Sequence, residues 1–165
     1  MRAIALGVAV FSLTAAASAA DIQKVQRAAK AQKDLQVQGY VNFKGGICES
    51  SAPLPEIELN IPPKGGTVCM RPGMVRLGNT WSGRDQHCLG KRMSGVFVVY
   101  KSLGSFTGVD TMQYAVTVRG ERSETRTYEA EIAVEPSAVT AAGASSGPSA
   151  PPQPGPMPLC SALVS

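Results

Sequence analysis

Between residues 40 and 134 apolar and polar side chains alternate with a period of two. Ile57, Leu59 and Ile61 interleave with Glu56, Glu58 and Asn60. Met112, Tyr114, Val116 and Val118 interleave with Gln113, Ala115, Thr117 and Arg119, and Tyr128, Ala130, Ile132 and Val134 with Thr127, Glu129, Glu131 and Ala133. Successive side chains of a strand point to opposite faces, so each segment carries one oily and one wet face. That is the pattern of antiparallel sheets packed on one side. Weaker strand candidates span 40–43, 67–71, 74–77 and 96–101. Turn-forming clusters separate them: Lys44-Gly45-Gly46, Pro62-Pro63-Lys64-Gly65-Gly66, Arg71-Pro72-Gly73, Gly78-Asn79 and Arg119-Gly120. About seven short strands with regular turns predict an all-β sandwich.

The pattern breaks at both ends. Residues 1–20 place one charge, Arg2, before an apolar stretch and a run of small residues, and read as a signal peptide cut before Asp21. The stretch is too short for a membrane anchor. Residues 21–38 contain helix formers, and Ile22, Val25, Ala29 and Leu35 form a thin apolar stripe without a strong cap. A short helix and a loose arm both fit. Residues 137–165 carry no charge, six prolines and three glycines. Such a composition buries too little apolar surface to offset its ordering entropy, which predicts a disordered tail. The expected organisation is therefore signal peptide 1–20, arm 21–38, sandwich 39–136 and tail 137–165.

Export puts Cys48, Cys69, Cys88 and Cys160 in an oxidising periplasmic or extracellular space, where disulfides are the default. Four cysteines allow three full pairings. The preferred pair is Cys48 with Cys88. It closes a loop of about 40 residues, worth roughly 4 kcal/mol in the chain-entropy model, and ties down the irregular loop 79–92. Cys69 then pairs with Cys160 or stays free, and Cys160 is also able to bridge two chains. Cys69 with Cys88 is the competing pairing.

A longer stretch carries a resemblance. Gly104, Phe106, Gly108, Asp110, Met112, Tyr114 and Val116 resemble the G-F-x-G-x-D-x-F-x-Y-x-V pattern of bacterial Ig-like and cadherin-like repeat domains. Pro63, Gly66 and Val68 resemble that family's P-x-x-G-x-V entry, Phe97-Val98-Val99-Tyr100 the strand before the motif, and 127–134 its closing strand. The resemblance implies an Ig-like Greek-key sandwich in a single copy. In physical terms Gly104 and Gly108 permit positive φ. Asp110 is expected to accept hydrogen bonds from following backbone N–H groups. Tyr114 is expected to fill the core and bond its hydroxyl back to a loop, as a tyrosine corner does. Family members often bind calcium, but Asp110 and Glu135 fall short of the six to eight oxygens that ion requires.

Charge and chemistry narrow the function. The net charge of +4 is uneven, with seven basic residues and one acidic residue between 64 and 101. A basic middle suits an anionic envelope polymer as partner, against the plainer reading of a solvated sheet surface. The loop 79–92 combines the only tryptophan, Trp81, with Arg84, His87, Lys91 and Arg92, a binding-loop composition; Trp81 equally suits a plug at one end of the sandwich. Cys69, Met70, Met74, His87, Cys88 and Met93 are soft or borderline ligands that would suit copper or zinc handling, yet no C-x-x-C or Met-x-x-Met is present. A single histidine leaves a catalytic triad only His87. Glu56, Glu58, Glu129 and Glu131 fall on wet strand faces. The expectation is a non-catalytic binding or structural module with no cofactor. Its partner would be an envelope polymer or protein. Nucleic acid is not expected, because the basic residues lack an interleaved aromatic platform.

Overall fold

The structure, a computed structural model, describes residues 22–81, 83–104, 106–119, 123–137 and 152–163. The expected signal peptide lies outside these, as does most of 137–151. Seven long strands, β1 (Ile22–Lys30), β2 (Leu35–Tyr40), β5 (Glu56–Ile61), β6 (Gly66–Arg76), β7 (Arg92–Ser102), β8 (Gly108–Arg119) and β9 (Ser123–Glu135), build two sheets. A two-strand ribbon of β3 (Phe43–Lys44) and β4 (Glu49–Ser50) and a short β10 (Gly155–Pro156) complete the set.

The first sheet has the order β1-β9-β8-β5-β10 and the second β2-β7-β6. All pairs of long strands are antiparallel except β1 with β9, which run parallel from Ile22 opposite Thr127 to Lys30 opposite Glu135. The chain changes sheet after β1, after β2 by way of the β3–β4 ribbon, and after β5 and β7, so strands adjacent in sequence often face each other across the core. One apolar cluster draws on both sheets, joining Val25, Ile57, Leu59, Met112, Val116 and Ile132 to Val37, Val68, Val98 and Tyr100. The protein is an all-β sandwich, and the period-two segments supply its inward faces as expected except at Ile61, which is 53% exposed because the register shifts after Leu59.

Three expectations are corrected. The expected arm 21–38 is, over its described residues 22–38, neither helix nor loose, since 22–30 and 35–40 are strands and the boundary at 39 falls inside β2. Val25 and Ala29 are both buried, and a spacing of four puts two residues on one face of either a helix or a strand. In β2, Val37 and Tyr40 both face the core at an odd spacing because the register shifts between Gln36 and Gln38. Such a bulge erases the alternation that marks a strand.

The Arg71-Pro72-Gly73 turn is also absent: β6 runs unbroken through Pro72, paired with Val96. β6 is an edge strand, where a proline nitrogen turned outward removes no ladder hydrogen bond. Finally, part of the tail is ordered. Residues 155–156 pair with β5, Met157 is 2% exposed, and Leu159 bridges to Met70. Main-chain pairing and a covalent tie hold this segment, neither of which composition reports.

The disulfides join Cys48 to Cys88, with Cα atoms 5.4 Å apart, and Cys69 to Cys160, 4.9 Å apart. The first anchors a small second core of Val41, Val75, Leu77 and Met93.

Candidate functional site

Two places concentrate polar side chains, at opposite ends of the sandwich. At one end lies the Gly104–Tyr114 stretch. Gly104 and Gly108 have φ of +44° and +112°, the region that favours glycine. Asp110, 3% exposed, accepts hydrogen bonds through Oδ1 from the Lys64 and Thr111 amides, both at 3.0 Å. Its Oδ2 accepts from the Gly65 amide and the Tyr100 hydroxyl, both at 2.9 Å. Only Thr111 is the expected following amide. The other donors come from the Pro63–Gly65 turn and the facing sheet, so Asp110 locks a long-range junction. With its oxygens taken by N–H and O–H donors, this carboxylate is a structural clamp.

Tyr114 fills the core, but its hydroxyl does not reach a loop. It lies 2.9 Å from the hydroxyl of Tyr40 on the other sheet. The rings of Tyr40, Tyr114 and Tyr128 pack at 5.2–6.2 Å between centroids. Burial pushes all three phenols above their ordinary pKa. For Tyr40 the Tyr114 neighbour adds to the rise, while Arg27 opposes it.

Two of these rings, Tyr40 and Tyr128, form the floor of the other place, a cleft of about 900 Å³ where β2 and β6 finish and β9 begins. Residues 77–79, 81, 84 and 85 supply one wall. Six cations line it, Lys24, Arg27, Arg76, Arg84, Arg119 and Arg126, against two carboxylates, Asp85 and Glu124. Most of the arginines are fixed. Arg27 donates to the Val37 carbonyl at 2.7 Å and Arg76 to that of Gly90 at 3.2 Å. Arg119 pairs with Glu56 and Arg126 with Glu124, each at 2.7 Å. Arg126 also lies 4.7 Å from the centroid of the half-buried Trp81 ring and donates to the Trp81 carbonyl at 3.1 Å. A guanidinium has five N–H donors, and each of these contacts uses one or two. The arrangement presents positive charge at set positions over an aromatic floor.

The structure thus unites Trp81 and Arg84 of the expected binding loop. His87, Lys91 and Arg92 are exposed and do not line the cleft. Trp81 meets both earlier descriptions, packing on the main core while walling the cleft. Arg27, Arg76, Arg119 and Arg126 were missed. They come from four separate strands, and nothing in their local sequence distinguishes them from solvated charges.

The soft ligands are mostly committed elsewhere. Cys48, His87 and Cys88 have ligand atoms within 4.8 Å of one another, but both sulfurs form the disulfide. His87 Nε2 lies 3.5 Å from Cys88 Sγ. Cys69 is bonded to Cys160, Met93 is buried and Met74 is exposed. Glu56, Glu58 and Glu131 are exposed and Glu129 is half-buried, on strand faces turned from the core. Among the described residues no helix is long and apolar enough to cross a membrane. Comparison with protein-family models, with curated proteins and with solved structures finds no match.

Proposed function

We propose that this chain is an exported, non-catalytic binding module of the bacterial envelope, with an Ig-like sandwich as scaffold and the basic cleft as its contact surface for an anionic polymer. The observation that carries the reading is the cleft lining, six cations against two carboxylates around Trp81. Clefts lined by one sign of charge focus field lines and concentrate oppositely charged ligands. The Ig-like scaffold is supported by strand order: four long strands β1-β9-β8-β5 facing β2-β7-β6, with the first and last long strands, β1 and β9, parallel. Export is supported by the two disulfides, which persist in oxidising compartments.

The test uses Trp81 as an internal reporter, since the chain has no other tryptophan. Titration with an oligogalacturonate should change Trp81 fluorescence, and a neutral oligosaccharide of equal length should not. Affinity should fall with salt, because exposed charges are screened over about 10 Å at 0.1 M. Arg84→Glu should weaken binding. No response to the polyanion, or binding indifferent to salt and to Arg84→Glu, defeats the reading.

A second reading, metal handling, rests on the Cys48, His87 and Cys88 cluster. Only thiolates ligate, so it applies to the reduced protein. Reduced protein would then bind one Zn²⁺ and lose it in His87→Ala, whereas equal binding by the oxidised form would place the metal elsewhere.

A further inference from the structure

On the edge of the sandwich formed by β5 and β6, residues 155–160 run as a strap between the two sheets. Gly155 and Pro156 pair antiparallel with Leu59 and Glu58 of β5. The Met157 amide then donates to the Ile57 carbonyl at 2.9 Å. One residue on, the Pro158 carbonyl accepts from the Met70 amide of β6 at 2.7 Å, and Leu159 bridges parallel to Met70. Met157 joins the main core, 2% exposed, and Cys160 closes on Cys69.

The strap is built like a bound peptide. Its main chain satisfies the edges of two sheets, and one side chain fills a socket between them, the mode by which extended peptides add to sheet edges. Prolines at 152, 154, 156 and 158 hold it extended before it docks, which lowers its ordering cost.

Its tether is longer than the route requires. Gly155 is level with Leu59, Tyr114 and Tyr128, seven residues from Glu135 along β9 and three strand spacings across. That is about 27 Å in a straight line. The twenty residues from 136 to 155 span up to about 70 Å.

We propose that the groove between β5 and β6 is a strand-acceptor site, which the chain fills with its own strap and which a second copy can fill by exchanging the same segment. The exchanged pair is locked by Cys69 of one copy and Cys160 of the other. The two thiols give two electrons and two protons to an oxidised glutathione, which leaves as two reduced thiols. Linkage through a tether of this contour length gives an effective concentration in the millimolar range. The chain's own strap therefore wins in dilute solution, and exchange grows with protein concentration. This inference is independent of the basic cleft.

The experiment uses the whole mature chain. Equal amounts of protein with ordinary and heavy nitrogen are mixed, reduced, denatured and refolded with oxidised glutathione at rising concentrations. Disulfide-linked peptides are then weighed. At a tenth of the effective concentration, roughly one Cys69–Cys160 link in ten should join two chains, and about half of those carry mixed label. Cys48–Cys88, internal to the domain, should stay unmixed. A Met157→Asp chain, which keeps Cys160 but loses the socket contact in its own groove and in a neighbour's alike, should form less Cys69–Cys160 link of either kind and leave more Cys160 capped by glutathione. The proposal is overturned if Cys69–Cys160 stays unmixed at every concentration. It is equally overturned if both disulfides mix alike, or if Met157→Asp chains form the Cys69–Cys160 link, within and between chains, as fully as the native ones.

Discussion

The Tyr100 hydroxyl donates to Asp110 Oδ2 at 2.9 Å, joining β7 of one sheet to β8 of the other inside the core. Asp110 Oδ1 and Oδ2 each receive two donors, and all but the Thr111 amide come from distant segments. An asparagine there must turn its NH₂ toward donors in either orientation. Asp110→Asn should therefore cost about 2–4 kcal/mol, since the abandoned donors remain buried. Tyr100→Phe, which removes one of the four, should cost about 1 kcal/mol. Urea unfolding measures both, and a loss for Asp110→Asn no larger than that for Tyr100→Phe would show that the junction does not depend on both oxygens.

The tyrosines set an alkaline limit. All four in the chain, Tyr40, Tyr100, Tyr114 and Tyr128, are held above their ordinary pKa, chiefly by burial. Their phenols stay neutral when folded, whereas in the unfolded chain they ionise near 10. The stabilisation is complete below that pH and is lost as pH rises above it, by up to about 1.4 kcal/mol per pH unit for each ring. Tyrosinate absorbance should therefore appear only together with unfolding. Smooth ionisation of a folded protein near pH 10 would contradict this.

Arg126 organises one wall of the cleft by stacking on Trp81 and pairing with Glu124. Arg126→Ala should cost about 1 kcal/mol and shift Trp81 emission to the red as the ring gains water. An unchanged spectrum would mean that Trp81 is held by the core alone.

The Cys48–Cys88 bond closes a loop of 40 residues around the second core. Replacing both cysteines by alanine should cost up to about 4 kcal/mol. Amide exchange in residues 83–91 should accelerate more than in β8 and β9. Uniform acceleration across the sandwich would show that the bond stabilises the whole domain rather than its loop.

Met157 plugs the edge of the main core. Met157→Ala should cost about 2–3 kcal/mol through the cavity it leaves. A change within 0.5 kcal/mol, the range of surface substitutions, would mean that the strap lies on the protein without filling it.

The β segments from 56 to 134 were legible because period two is a local property: each wet-and-oily strand declares its inward face without reference to a partner. The Cys48–Cys88 preference also follows from spacing and loop closure. Gly104 and Gly108 announced their positive φ because glycine is the residue that adopts it freely. What tertiary structure decided depends on partners distant in the chain. Residues 22–38 become strands because β9 and β7 offer edges, and a four-residue spacing alone does not distinguish helix from strand. The strap becomes ordered because β5, β6 and Cys69 receive it. The cleft exists because Arg27, Arg76, Arg119 and Arg126, each unremarkable on its own strand, arrive at one end when two sheets stack.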